Sequence, residues 1–129
     1  TVRETTHAGH AEKLATQGVL ENFELIMAAG GDGTLHQVVN GLMSATERQV
    51  PAVGLLPLGS GNDFARTMGI KAKPKALADR LAAGRLQPID VGKVVHSGEG
   101  KETIRYFLNA CSLGLGPEVV RRLQRNSGW

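Results

Sequence analysis

The sequence has few of the residues on which disulfide-stapled proteins and nucleic-acid platforms depend. Cys111 is its single cysteine, which excludes an internal disulfide and a cysteine metal site. Only 4% of residues are aromatic, which argues against a surface that stacks bases, so we expect no nucleic-acid partner. No apolar run reaches the length of a membrane span, and the first residues do not resemble a signal peptide. These absences predict a cytoplasmic protein.

Several familiar catalytic signatures are also missing. The chain has no G-x-x-x-x-G-K-[ST] loop, and its G-x-G sequences at 59–61 and 114–116 do not extend to G-x-G-x-x-G. Ser60 lacks the spacing of a nucleophile elbow, which disfavours a hydrolase triad. The four histidines have no metal-binding spacing, and we expect each to be a surface or local hydrogen-bonding residue.

What is present is an ordinary globular composition with a mild excess of positive charge. Hydrophobic residues make up 41% and charged residues 21% of 129 residues, enough for one domain or part of one. The net charge is +3, and the basic residues cluster at 71–85 and 121–125. Such clusters are either a solvated face or a surface attracted to anionic membranes, and the sequence leaves both open.

The chain alternates short apolar runs with amphipathic segments. This alternation predicts an α/β fold with a mostly parallel sheet and helices on its faces. The expected helices are 9–17 with Gly18 as its stop, one from Thr34, a short one at 64–68, 74–83 and 118–125. The expected strands are 24–29, 52–56, 87–95 and 104–110, the last two joined by the polar segment 96–102.

The most informative segment is Gly30-Gly31-Asp32-Gly33-Thr34, which lies between the first strand and a helix. Asp-Gly between apolar runs is also a hairpin signal, but the apolar residues that follow recur at helical spacing rather than alternating. Glycines leave backbone N–H groups accessible, and the N-terminus of a helix attracts anions. The segment therefore predicts a phosphate-binding turn.

Three acidic residues follow or adjoin predicted strands: Asp32, Asp63 and Asp90. Loops at the carboxyl ends of parallel strands gather at one edge of a sheet, so Asp32 and Asp63 can approach each other there. Carboxylates without histidine or cysteine suit Mg²⁺, which also bridges substrate phosphates. Helix capping by Asp63 and a turn role for Asp90 are the structural alternatives.

Two strings carry a family resemblance. Residues 30–42, GGDGTLHQVVNGL, and residues 57–66, PLGSGNDFAR, resemble the catalytic domain of the diacylglycerol kinase family, which includes sphingosine, ceramide and soluble bacterial lipid kinases. Further matches at 5–11, 89–92 and 106–114 follow in the same order. The resemblance therefore covers nearly the whole chain.

The resemblance implies an ATP site in a three-layer α/β domain related to NAD kinases and phosphofructokinases. It implies that the segment Gly30, Gly31, Asp32, Gly33, Thr34 and Leu35 holds the phosphates, aided by Thr5 and Ser60. Asp32, Asp63 and Asp90 would form the catalytic acidic network around Mg²⁺. The implied reaction transfers the ATP γ-phosphoryl group to a hydroxyl of diacylglycerol or a related lipid, at the surface of a membrane that the enzyme binds peripherally.

The sequence also departs from the family pattern. Gln37 stands where many members have glutamate, and Ser60 replaces the commoner threonine. The family's initial Asn-Pro strand and its C-terminal β-rich lipid-binding domain are not found in residues 1–129, so we expect a catalytic domain truncated at both ends and inactive by itself. A kinase acting on NAD and a non-catalytic nucleotide-binding module remain alternatives, and the oligomeric state, a homodimer included, is open.

Overall fold

Four helices and four strands make up the part of the chain that the computed structural model describes, which is residues 1–45, 49–98 and 100–111. In chain order the elements are α1 (His10–Leu20), β1 (Leu25–Gly30), α2 (Asp32–Ser44), β2 (Ala52–Pro57), α3 (Asp63–Thr67), α4 (Pro74–Ala82), β3 (Gly92–Gly98) and β4 (Lys101–Phe107). No helix within these ranges combines the length and apolar character that a bilayer crossing requires.

The described strands form two separate pairs. β1 and β2 are parallel, in a register that runs from Leu25 opposite Ala52 to Gly30 opposite Pro57. β3 and β4 form an antiparallel hairpin, with Gly92 opposite Phe107. The predicted α/β class with a parallel pair is confirmed, whereas the three-layer arrangement of NAD kinases stays a prediction.

The core is built around α2, which packs against α1, β1 and β4. Helices α1 and α2 approach each other closely at Gly41, where an added Cβ would lie 2.2 Å from the carbonyl oxygen of Glu12. Thr16 strengthens this contact by donating its hydroxyl to the Gly41 carbonyl, at 3.0 Å. The buried apolar side chains belong to Ala11, Ala15, Val19, Ala28, Leu35, Val38, Val39, Leu42, Leu55, Phe64 and Ala65.

Asn40 is a polar side chain within this core, with only 1% of its surface exposed. Its amide nitrogen donates to the carbonyls of His36 and Tyr106, at 2.8 and 2.9 Å, and its oxygen accepts the N–H of Tyr106 at 2.9 Å. Burial of an amide is tolerated because these bonds replace the lost water. Asn40 thereby fastens the hairpin to α2.

The structure corrects the predicted end of α1 and the predicted bounds of the hairpin strands, since β3 begins at Gly92 rather than at 87 and β4 ends at Phe107 rather than at 110. Gly18 does not stop α1, which continues to Leu20; Gly18 is buried, and an added Cβ would lie 2.7 Å from the Ile26 side chain. The polar segment 96–102 is not a long connection, because β3 extends to Gly98 and β4 begins at Lys101. The remaining strand and helix predictions up to residue 83 are confirmed within a few residues, and the predicted helix 118–125 lies outside the described residues.

Candidate functional site

The loops that follow β1 and β2 begin side by side. Gly30 is paired with Pro57 at the end of the parallel ladder, and the N–H of Leu58 donates to the Gly30 carbonyl at 3.0 Å. The two loops therefore leave the sheet in contact with each other. The sequence-based expectation that the segments containing Asp32 and Asp63 meet at this edge is confirmed.

Gly31 and Gly59 are the contact points between these loops. A Cβ added to Gly59 would lie 2.4 Å from the Gly31 Cα, and one added to Gly31 would lie 3.1 Å from the Gly59 Cα. A side chain at Gly59 would clash with the Gly31 backbone, and one at Gly31 would require the Gly59 backbone to move by a few tenths of an ångström. Glycine at both positions is thus explained by loop packing, without any ligand.

The phosphate-binding turn predicted at residues 30–34 is shorter than expected, because α2 already begins at Asp32. The first helical hydrogen bond joins the Leu35 N–H to the Gly31 carbonyl at 3.1 Å. The N–H groups of Asp32, Gly33 and Thr34 therefore precede the helical hydrogen-bond ladder, where partial positive charge collects. They form the part of this segment best suited to an anion.

Other residues of the segment have different surroundings. An added Cβ at Gly33 would meet nothing within 4 Å, so space is open beside its backbone. Gly30 accommodates the Thr34 side chain, whose hydroxyl oxygen would lie 2.3 Å from an added Cβ. Leu35 is buried in the core, and its N–H is already occupied by Gly31. Among these three, Gly33 is the most accessible to a ligand.

The Asp32 carboxylate caps α3 from across the two loops. Its Oδ2 accepts the Asp63 N–H and its Oδ1 accepts the Phe64 N–H, both at 3.0 Å. The N-cap residue of α3 itself, Asn62, makes no side-chain capping bond. Hydrogen bonds from Phe64 and then Asp63 stabilise the charged carboxylate and lower the pKa of Asp32 below its ordinary value. Asp32 is therefore ionised and held in place at neutral pH.

Asp63 is the first residue of α3 and pairs with Arg66 one turn later. Both side chains are mainly exposed, 64% for Asp63 and 68% for Arg66, so the pair is weak and easily rearranged. Arg66 also donates to the Gly61 carbonyl. The suggestion that Asp63 caps α3 with its own side chain is not what the structure has, since Asp32 supplies both acceptors.

Asp90 lies in the irregular segment before β3 and is exposed. Within the described ranges, no group of three or more histidine, cysteine, aspartate or glutamate side chains is arranged to hold a metal ion. The structure thus brings Asp32 next to residue 63 but does not gather all three acids. The metal and catalytic roles of Asp32, Asp63 and Asp90 stay predictions.

Ser60 and Thr5 are both exposed. Ser60 lies at the tip of the second loop, which Asn62 closes by accepting the Gly59 N–H at 3.1 Å and donating to the Gly59 carbonyl. Thr5 lies in the irregular segment before α1, and its neighbour Thr6 donates its N–H to the Nδ1 of His10 at 3.1 Å. The nucleotide-binding roles of Ser60 and Thr5 stay predictions.

Sequence reasoning overlooked Asn62 and Asn40. Asn62 adopts a left-handed backbone, with φ of 52°, and asparagine in a glycine-rich loop is a recognisable signal for this conformation. Asn40 gave no comparable signal, because its partner Tyr106 is 66 residues away. Asn62 shapes the loop that carries Ser60. Asn40 holds Tyr106, which lines a small pocket beside Asp32.

A small pocket of about 140 Å³ opens beside Asp32. Its lining is mainly apolar, from α2, α3 and the end of β4, with Asp32, His36 and Asn109 as polar members. A larger cleft of about 990 Å³ shares four lining residues with it, Leu35, Val39, Phe64 and Leu108, but contains none of the predicted site residues except Leu35. The small pocket is therefore the cavity that adjoins the candidate chemistry.

Comparisons with known proteins agree with this architecture. The family model of the diacylglycerol kinase catalytic domain matches residues 1–94. A diacylglycerol kinase of Bacillus subtilis (strain 168) is 44% identical over 118 residues, which cover 90% of this chain and 35% of that protein. The chain therefore spans about a third of the length of this curated relative.

Solved structures give the same result. Two structures of a proposed diacylglycerol kinase from Bacillus anthracis str. Sterne superpose with TM-scores of 0.61 and 0.64 at 30% and 26% identity. They cover 76% and 92% of this chain, and the chain covers 34% and 38% of theirs. The fold of this chain is thus that of known structures, and the chain belongs to the diacylglycerol kinase catalytic domain family.

Proposed function

We propose that this chain is the ATP-binding part of a lipid kinase, which transfers the γ-phosphoryl group of ATP to a hydroxyl of diacylglycerol or a related lipid. Family membership supports the kinase assignment. The proposal of an ATP site rests on the contact between the two glycine-containing loops. At this contact lies the N-terminus of α2, and Asp32 is held there by hydrogen bonds from the N–H groups of α3.

The polyphosphate of ATP would bind at the first turn of α2. The N–H groups of Gly33 and Thr34 precede the helical hydrogen-bond ladder and are suited to donate to phosphate oxygens, and the open space beside Gly33 lets a ligand reach the backbone. Ser60 would add a hydroxyl donor from the neighbouring loop, and Thr5 a second. In this arrangement the backbone does most of the binding, so the site needs no lysine-containing phosphate loop.

The residues also fit Mg²⁺, which commonly takes one or two carboxylates together with waters and phosphate oxygens. Asp32 is ionised and adjoins residue 63, and the Asp63 side chain is exposed enough to turn from Arg66 toward a cation. We propose these two as the protein's share of the site, with Asp90 as a third acid. When bound, Mg²⁺ would neutralise charge on the transferring phosphoryl group.

The reaction itself requires little covalent chemistry from the protein. The acceptor oxygen forms a bond to the γ-phosphorus, the bond from that phosphorus to the bridging oxygen breaks, ADP leaves, and the hydroxyl proton is released. This chain's contribution is to orient the phosphates along α2 and to hold negative charge on Asp32 in a fixed position. We propose that the acceptor hydroxyl enters through the small pocket beside Asp32.

The lipid substrate places the proposed enzyme at the cytoplasmic surface of a membrane, with phospholipid biosynthesis as its setting. A homodimer is compatible with the proposal but is not required by it. NAD is the alternative acceptor, since its kinases share the Gly-Gly-Asp-Gly core, and family membership favours the lipid. A non-catalytic nucleotide module is the other alternative, favoured by Gln37 and by the lack of a three-acid metal cluster among the described residues.

The test is a kinase assay on the protein expressed from its complete gene, with labelled ATP and a panel of diacylglycerol, sphingosine, ceramide and NAD. We expect a labelled lipid and a rate that falls roughly a thousandfold in Asp32→Ala. Calorimetry with ATP, with and without Mg²⁺, gives the independent readout. Labelled NAD would redirect the proposal, magnesium-dependent binding without transfer would favour the module, and absence of binding would refute the site.

A further inference from the structure

The helix α4 stands apart from the core. None of its residues is buried, and neither Leu77 nor Leu81 belongs to the core or packs against it. Leu81 is 45% exposed, and Leu86, four residues beyond the end of the helix, is 79% exposed. An amphipathic helix normally buries its apolar side. Here Leu77 is only half-buried and Leu81 is exposed, so the described residues leave much of that side uncovered.

The apolar side of α4 is narrow and flanked by cations. Pro74, Leu77 and Leu81 recur at spacings of three and four residues, which places them on one face. By helical geometry, Lys75 and Arg80 project to opposite sides of that face, at about 125° and about 95° from its centre. This distribution is typical of helices that lie in the plane of a membrane surface, with apolar residues inward and basic residues at the headgroups.

The charge of the chain is concentrated here. We define the α4 surface as residues 71–88; it contains Lys71, Lys73, Lys75, Arg80 and Arg85, with Asp79 as its single acid. Its net charge of +4 exceeds the +3 of the whole chain, so the other residues together carry −1. Asp79 lies 3.5 Å from Lys75, and both side chains are largely exposed, which leaves the positive field of the surface nearly intact.

We propose that the α4 surface docks on an anionic lipid bilayer. Charge complementarity selects this occupant, because a second copy would bring +4 against +4 in a symmetric contact. The exposed side chains of Leu81 and Leu86 can insert among the lipid chains, which charged residues alone cannot do. The inference rests on the proposed function in one respect: a lipid kinase must reach its substrate in the membrane.

Vesicle binding of this chain, measured without nucleotide, tests the proposal. Vesicles of phosphatidylcholine with about one third phosphatidylglycerol are compared with pure phosphatidylcholine in a sedimentation assay. The test variant Lys73→Gln with Arg85→Gln removes two cations from the α4 surface. The matched control, Lys13→Gln with Lys101→Gln, removes two exposed cations from α1 and β4, so both variants have the same net charge.

We expect the wild-type chain to bind only the anionic vesicles. At roughly fivefold per cation, the α4 variant should lose about 25-fold in partitioning, and the control should lose much less. The double variant Leu81→Ser with Leu86→Ser should also bind the vesicles more weakly. At high salt the wild-type chain should keep only the part of its vesicle binding that comes from the leucines. Unchanged circular dichroism would show that these exposed substitutions leave the fold intact.

Equal losses in the α4 variant and the control would overturn the proposal, since binding would then follow net charge alone. Equal binding to neutral vesicles would overturn the electrostatic selection. A dimer in sedimentation velocity that the leucine substitutions dissociate would assign the apolar face to a second copy instead. If the α4 surface does not dock on vesicles, kinase activity in detergent micelles can still be present. If the kinase assay in micelles fails, vesicle binding can still be present, so the two experiments test the two proposals separately.

Discussion

Replacement of Asp32 by alanine should destabilise the fold measurably, independently of any catalytic effect. The substitution removes both acceptors for the N–H groups of Asp63 and Phe64, and with them the only side-chain cap that the structure gives α3. Loss of a cap costs about 0.5 to 2 kcal/mol, and bonds to a charged group lie toward the upper end. We expect a loss of about 1 to 2 kcal/mol in the free energy of unfolding.

Urea denaturation of this chain measures the effect. With a slope of about 2 kcal/mol per molar urea, the midpoint should fall by roughly 0.5 to 1 M while the slope stays unchanged. Asp32→Asn keeps one acceptor and should lie between wild type and alanine. Asp79→Ala is the matched control, because its exposed pair with Lys75 should contribute close to nothing.

The difference in unfolding free energy between wild type and the Asp32 variants should decrease as the pH falls. The pKa of Asp32 is lower in the folded chain than in the unfolded one, because the N–H groups of Phe64 and Asp63 stabilise the charged carboxylate. Its stabilisation is therefore fully present above the unfolded value and is lost as pH falls through the lowered folded value. Wild type and Asp32→Asn should converge in acid. Identical midpoints for wild type and Asp32→Ala near neutral pH would refute the capping interpretation.

Three further substitutions test the loops and the hairpin. Gly33→Ala should raise stability by about 0.5 kcal/mol, because an added methyl meets open space, yet should weaken ATP binding in calorimetry by crowding the phosphates. Gly59→Ala should cost about 1 to 3 kcal/mol in urea denaturation, since its Cβ would press on Gly31. Asn40→Ala should cost about 2 to 3 kcal/mol and speed hydrogen exchange at the Tyr106 amide, while unchanged exchange there would contradict the proposed link.

The sequence predicted the β1–α2 and β2–α3 units well because their signals are local. These signals are the apolar runs of strand length and the helical spacing after Thr34. Pro74 and Gly84, which mark the start and the end of a helix, are equally local signals. The hairpin was misjudged for a related reason. Its strands are largely exposed, so polar residues occupy strand positions and the pattern resembles a loop.

What the sequence could not predict depends on contacts between distant residues. Asp32 accepts from Phe64, 32 positions away, and its sequence neighbours give no sign of a capping role. Gly18 looked like a helix stop, but its position against Ile26 gives it a packing role inside α1.

The contact between Gly31 and Gly59 has a consequence for protein engineering. Chimeras of related kinases with a crossover between these positions join a first loop from one parent to a second loop from another. Such hybrids should tolerate the junction only when both parents carry glycine at each position, because a methyl group on either side separates the backbones. The two glycines behave as one inherited unit, and recombination libraries for this family should keep them together.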